Sequence, residues 1–239
     1  MLILGLTGGI ACGKSTVSAH LSEKGYPIVD ADVIAREVVE PGKAAYNQVV
    51  AAFLAHVPNL LNTDGTLNRA ELAKAVFDNP DRLRVLNRAV HAAVKKEIAW
   101  QLITLYFQGH RLAVLDVPLL FEARLDLICG ATVSVAANYD VQIERLRKRN
   151  PELSLEDAEK RIASQLSNDE RNRRADMVLS NDGTVEALQA QVDEVKAALE
   201  PSWFWTYFMM LPPIGVVWGL LTLVYRAVRN YRSAKPKTD

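Results

Sequence analysis

The sequence is poor in cysteine. Cys12 and Cys129 are its only two among 239 residues, too few for a disulfide framework, and no Cys/His spacing suits zinc. It has no surplus of charge either: 28 basic residues face 28 acidic ones, which argues against a nucleic-acid partner held by bulk electrostatics. No internal repeat and no low-complexity stretch is present. A secretory signal is not expected, because Leu2–Leu6 is a short apolar run without a basic flank that passes straight into a glycine loop. A reducing, nucleotide-rich compartment is the expectation. What remains, 49% hydrophobic and 23% charged, excludes a disordered or collagen-like chain and fits a globular domain.

Strands are predicted at 2–6, 27–30, 112–116, 131–136 and 177–179; the first is a short continuous apolar run of the kind buried in a parallel sheet, and the third is apolar until its final Asp. Helical patterns fill the gaps: 15–24, stopped by Gly25 and Pro27; most of 44–110, broken near 58–65 and at Asn79-Pro80; roughly 140–175; and 185–199. Strand–helix alternation predicts an α/β fold, a five-stranded parallel sheet with helices on both faces. The 44–110 insertion is too long for a plain crossover and predicts a helical subdomain over the C-terminal edge of the sheet.

Gly8-Gly9-Ile10-Ala11-Cys12-Gly13-Lys14-Ser15 fits the phosphate-loop pattern, with a predicted strand before it and a helix after it. Glycines let backbone N–H groups turn inward around phosphate, and the helix N-terminus adds favourable potential. Lys14 is placed to reach the β- and γ-phosphates of ATP, and the Ser15 hydroxyl to ligate Mg²⁺. Asp30 and Asp32 follow the second strand, with Arg36 one turn on. A carboxylate there suits a general base for an attacking hydroxyl, and a helix cap is the alternative for either. Asp116 ends the third strand, where an acid can hold Mg²⁺ through water or act only as a cap. Arg145 and Arg149 lie four apart on one helix face; with Arg161 they read as an arginine-bearing lid over roughly 140–170.

These stretches resemble dephospho-CoA kinases, P-loop small-molecule kinases. The resemblance rests on Gly5-Leu6-Thr7-Gly8-Gly9-Ile10 running into Gly13-Lys14-Ser15, Asp30-Ala31-Asp32 with Arg36, Asp116-Val117-Pro118-Leu119-Leu120-Phe121-Glu122, and Arg161-Ile162-Ala163-Ser164-Gln165 with Asp176 and Asn181. It covers about residues 1–200. It implies ATP-dependent phosphorylation of the ribose 3′-hydroxyl of dephospho-CoA, with Asp32 as base and Arg145 meeting the transferring phosphate. It implies an ATP site of Gly8, Gly9, Ile10, Ala11, Cys12, Gly13, Lys14, Ser15, Thr16, Arg149 and Asn181. The acceptor site it implies comprises Asp32, Arg36, Asp116 and Arg161, with the 44–110 helices as CoA-binding subdomain. His91 is a weaker member, since Ala92 stands where the family usually has proline. Mg²⁺ would accompany ATP at Ser15 and Asp116. Association with other enzymes of coenzyme A synthesis stays open. So do two other readings, a kinase with an altered acceptor and an idle membrane-bound binding protein.

The tail differs from the body. After Pro201 come Arg226, Arg229, Arg232, Lys235 and Lys237 against Asp239 alone, giving the tail +4 and the rest −4. Residues 203–225 carry no charge, and 17 of these 23 are hydrophobic. As one helix they would extend roughly 34 Å at ~1.5 Å per residue, enough for a ~30 Å hydrocarbon core. Trp203, Trp205 and Tyr207 at one end and Tyr225 at the other resemble interfacial belts, with Arg226, Arg229 and Arg232 as a basic flank. The expectation is a C-terminal membrane anchor in 201–239 with the kinase domain facing the cytosol, at the mitochondrial outer membrane rather than the endoplasmic reticulum. Pro212-Pro213 leaves a half-inserted, in-plane or hairpin anchor as the alternative.

Overall fold

The structure, a computed structural model, describes residues 1–77, 79–210 and 212–234. It divides into two compact units, residues 1–29 with 105–239, and residues 30–104.

The first unit is built on a five-stranded parallel sheet: β1 (Leu2–Gly8), β2 (Ile28–Asp30), β3 (Leu112–Asp116), β4 (Ala131–Ala136) and β5 (Met177–Ser180), in the order β2-β3-β1-β4-β5. β1 lies between β3 and β4 with Leu4 opposite Val114 and Ala131. All five residues of β3 are buried, which is why its sequence is apolar up to the final Asp116. On one face, Leu4, Leu6, Val133 and Val135 pack with Val17 and Leu21 of α1 (Lys14–Glu23) and Leu188 and Val192 of α9 (Val185–Leu199). On the other face, Ser134 donates to Asn172 of α8 (Asn168–Arg174), 2.7 Å away. There Gly5 lets the segment after β3 approach: a Cβ at Gly5 would come within 2.7 Å of the Cys129 sulfur and 2.9 Å of Leu120. Helices cover both faces, as the alternating pattern predicts. Between β4 and β5 the predicted helical stretch resolves into α6 (Tyr139–Arg149), α7 (Leu155–Ala163) and α8.

The second unit is helical: α2 (Ala31–Glu37), α3 (Ala44–Phe53), α4 (Arg69–Phe77) and most of α5 (Pro80–Phe107). Val49, Phe53, Val57, Leu60, Leu67, Leu72 and Val76 form its core. Its boundary is Asp30–Thr104 rather than 44–110, because Val39, just beyond α2, packs on this core and Arg69 reaches back to the Arg36 carbonyl.

The tail departs from expectation. Residues 203–225 do not form one helix but α10 (Trp203–Met210) and the start of α11 (Pro212–Ala234), and no helix among the described residues is long and apolar enough to cross a membrane. The break follows from Pro212-Pro213, which cannot continue α10 but suit the first turn of a new helix. Arg226 and Arg229 are not a flank for lipid headgroups. Arg226 is 3% exposed and donates to the carbonyls of Cys129 (3.0 Å) and Gly130 (2.8 Å) and to Asp176 (2.6 Å). Arg229 pairs with the same carboxylate, and Asn230 donates to Asp126 at 2.6 Å. At the other end of the tail, Arg111 pairs with Glu200 at 3.2 Å and stacks over the Trp203 ring at 5.0 Å. The expected charges of Lys235, Lys237 and Asp239 lie outside the described residues.

Candidate active site

The loop between β1 and α1 turns on two residues of positive φ, Ala11 at 60° and Gly13 at 94°. Gly13 is doubly constrained, since a Cβ there would stand 2.0 Å from the Asn181 amide nitrogen. α1 begins at Lys14, so the N–H groups of Lys14 and Ser15 have no carbonyl of their own helix to meet, while Thr16 and Val17 donate to the Gly13 carbonyl.

Lys14 Nζ forms an ion pair with Asp116, which is 2% exposed at the end of β3. The two candidates at opposite ends of the sequence motif set are thus one unit. Thr7 donates to the Pro118 carbonyl at 2.8 Å, fixing the segment after Asp116 against β1.

The loop is held from outside by amides. Ile10 N–H donates to Gln165 Oε1 at 2.9 Å, and Gln142 Nε2 donates to the Ile10 carbonyl at 2.7 Å. Asn168 donates to Gln142 Oε1 at 2.7 Å, and Arg171 to Asn168 Oδ1 at 2.9 Å. Asn181, expected to bind ATP, donates to the Cys12 carbonyl at 2.8 Å and so holds the loop itself. Beneath these, Ile10 and Ala11 pack on Leu146, Leu153 and Ala158 of the lid. A cleft of about 480 Å³ opens beside Gly9, between the start of α6 and the α7–α8 linker.

Charge converges here. Burial pushes the Cys12 thiol above its ordinary pKa, while hydrogen bonds from Ala137 and Gly9 and the charges of Arg171 and Arg145 pull it back. Arg145 is therefore near the loop, and its Nη1 is buried with no hydrogen-bond partner among the described residues. Arg171 is 1% exposed; burial lowers its pKa, with Glu122 and Cys12 opposing. An unpaired guanidinium nitrogen above a glycine loop is a place for an anion.

Arg149 is exposed at the end of α6, and Arg161 is exposed on α7. In the helical unit, Asp32 and Arg36 are exposed on α2, and His91 is exposed on α5. Asp30 is a cap: its carboxylate accepts from the N–H groups of Asp32 (2.8 Å) and Val33 (3.1 Å), and α2 begins at Ala31. Ser15 and Thr16 open α1. No group of three or more His, Cys, Asp or Glu that could hold a metal gathers among the described residues. A hydroxyl at Ser15 and a carboxylate at Asp116 are nevertheless hard oxygen donors of the kind Mg²⁺ takes alongside phosphate oxygens.

The residues missed in the sequence are Gln142, Asn168 and Arg171. Gln142 carried a signal, since it lies four before Leu146 and both are buried on α6.

The dephospho-CoA kinase (CoaE) family model matches residues 2–187 of this chain. The chain belongs to the dephospho-CoA kinase family. Dephospho-CoA kinase CAB5 of Saccharomyces cerevisiae is 50% identical over 218 residues, covering 91% of this chain and 90% of that protein. A dephospho-CoA kinase of Bacillus cereus is 44% identical over 194 residues, or 81% and 95% of the two chains. Among solved structures, TT1252 of Thermus thermophilus superposes with a TM-score of 0.68 at 32% identity, covering 84% of this chain and 98% of that one. A match of 218 residues cannot fit within residues 1–200, so the likeness to the yeast family member includes part of the tail.

Proposed function

We propose that the protein transfers the γ-phosphoryl group of ATP to the ribose 3′-hydroxyl of dephospho-CoA, giving coenzyme A and ADP. The observation that carries this reading is the Lys14–Asp116 pair beneath the glycine loop. A cation on the loop and an anion at the neighbouring strand end are the two fixed charges that phosphoryl transfer needs. When ATP enters, Lys14 leaves Asp116 for the β- and γ-phosphates, joined by the loop N–H groups. Ser15 and Asp116 would hold Mg²⁺ beside the phosphates, and the ion would supply neutralisation of phosphoryl charge. The acceptor oxygen forms its bond to γ-phosphorus as the bond to the ADP oxygen breaks, and Asp32 takes the acceptor proton. Arg145 turns its unpaired nitrogen to the transferring group, where its planar fork matches spread negative charge. Gly8 to Thr16 line the phosphates, while Arg36, Arg149, Arg161 and His91 are assigned supporting contacts from the motif alone.

An ADP-release assay with dephospho-CoA beside adenosine, shikimate and pantothenate tests this. Turnover with dephospho-CoA alone is expected, and preference for another acceptor overturns the assignment.

We also infer that the kinase acts at the cytosolic face of a membrane, the mitochondrial outer membrane rather than the endoplasmic reticulum. The uncharged stretch 203–225 and the basic residues beyond the docked arginines, Arg232, Lys235 and Lys237, support this. Fractionation of cells with organelle markers is the test, and protein wholly in the soluble fraction overturns it.

A further inference from the structure

Two anchor points hold the tail, and both lie at the N-terminal edge of the sheet. Arg111, which grips Glu200 and Trp203, immediately precedes β3, and its carbonyl accepts from Leu2 N–H at 2.8 Å. Cys129 and Gly130, which receive Arg226, immediately precede β4, and Gly130 N–H donates to the Ile3 carbonyl at 2.9 Å. The phosphate loop follows the C-terminal end of β1, on the opposite edge. Between the anchors the chain runs out through α10 and back through α11 to the same edge, the path of a helical hairpin.

The hairpin is not covered by protein. On α11 the consecutive residues Val216 (62%), Val217 (55%) and Trp218 (58%) are all exposed, as are Leu220, Leu221 and Val224. Three consecutive helical positions sweep about 200° of the helix surface, so the exposed apolar residues are not confined to one narrow stripe. A contiguous set of exposed large apolar side chains of this kind marks an interaction or membrane surface. From Pro213 to Tyr225 the helix rises only about 20 Å, short of a ~30 Å hydrocarbon core. The chain folds back so that Trp203, against Arg111, and Arg226, the residue after Tyr225, reach the same edge of the sheet from opposite ends of the stretch. A span would need them on opposite sides of the membrane; a hairpin entering from one side needs them at one level. The sequence then adds Arg232, Lys235 and Lys237 without an acid before Asp239, a composition complementary to anionic headgroups.

We propose that the α10–α11 hairpin inserts into one leaflet of a lipid bilayer without crossing it. Arg226 and Arg229 lock the hairpin to the body, and the phosphate loop points away from the lipid. The proposal deepens the membrane placement given above and rests on it.

The test uses the full chain with vesicles of phosphatidylcholine, with and without phosphatidylserine. The protein should float with the vesicles, more completely with phosphatidylserine. Its tryptophan emission should be quenched by lipids brominated in the acyl chain, with the quenching reduced in Trp218→Phe. A C-terminal tag should stay open to external protease while kinase turnover persists. Leu220→Asp with Val224→Asp should cut flotation at least tenfold and leave turnover with dephospho-CoA unchanged. Should that variant fail to fold, quenching of the unaltered chain still decides. Flotation with a protected tag would keep the membrane placement and sink the one-leaflet hairpin. Failure to float overturns the insertion, and so does a concentration-dependent dimer in sedimentation that hides the tryptophans from brominated lipid. Carbonate-resistant pelleting from cells judges the membrane placement separately.

Discussion

At the scale of single residues, the loop separates two kinds of requirement. Lys14 and Asp32 are needed for chemistry. Lys14→Ala should remove nearly all turnover and weaken ATP binding, whereas Asp32→Asn should lower kcat by about 10²–10⁴-fold with ATP binding retained. Steady-state kinetics with nucleotide titration checks the split, and a near-normal kcat in Asp32→Asn would remove it from the role of base. Gly13 is needed for shape. Gly13→Ala meets both the left-handed backbone and the Asn181 amide, so the backbone strain alone should cost about 1–3 kcal/mol. Thermal unfolding should show the loss, and ATP binding should fall with it. Asn181→Gly in the same chain removes the clash but not the strain, and should restore only part of the stability.

At the scale of elements, the phosphate loop and the lid are one mechanical piece. Gln165 and Gln142 satisfy both backbone groups of Ile10, and Ile10 itself packs among lid side chains. Gln165→Ala would leave a half-buried N–H unpaired, a loss of about 1–3 kcal/mol. The expected outcome is a raised KM for ATP, roughly tenfold, with a smaller change in kcat, and recovery in Gln165→Glu, which keeps an acceptor. Unchanged KM in Gln165→Ala would show that the brace does not set the loop. How much of this could be read beforehand depends on the kind of order involved. The strand at 112–116 was legible because burial on both faces writes a nearly continuous apolar run, and the one at 131–136 because it is made of β-branched and small residues, with Thr132 and Ser134 buried between apolar neighbours. The loop, Lys14 and Asp116 were legible because backbone geometry demands glycine and phosphate demands charge at set positions. Arg171 was not. It stands in a run with Arg173 and Arg174, and only the packing of α8 on β4 decides which of the three is swallowed. Arg226 was misread for a related reason: an arginine after an apolar stretch looks like a flank unless its partner, Asp176, is known to be near.

At the scale of the whole molecule, the tail is part of the body's construction. Arg226→Ala should leave the carbonyls of Cys129 and Gly130 without that donor and Asp176 half-paired, costing about 1–3 kcal/mol in urea unfolding. No change in the unfolding midpoint would mean that the docking is idle. Asp176 gives the docking a pH dependence. Burial pushes its pKa up, but Arg226, Thr132 and Arg229 outweigh this and hold the carboxyl below the usual Asp value. A carboxylate depressed in the folded state contributes stability that is complete above its unfolded pKa of about 3.9 and is lost as pH falls through the folded value. The stability gap between the unaltered chain and Asp176→Asn should therefore be flat near neutrality and close only in strong acid. The same contacts also fix an order in time. The receptor for Arg226 combines carbonyls at the head of β4 with a carboxylate at the head of β5, so it exists only once those strands lie side by side. Arg226 meets Cys129 across 97 positions of chain, a closure that comes late among folding events. Arg226→Ala should hence leave the refolding rate of the sheet nearly untouched and speed unfolding instead, so that the tail behaves as a latch closed after the door.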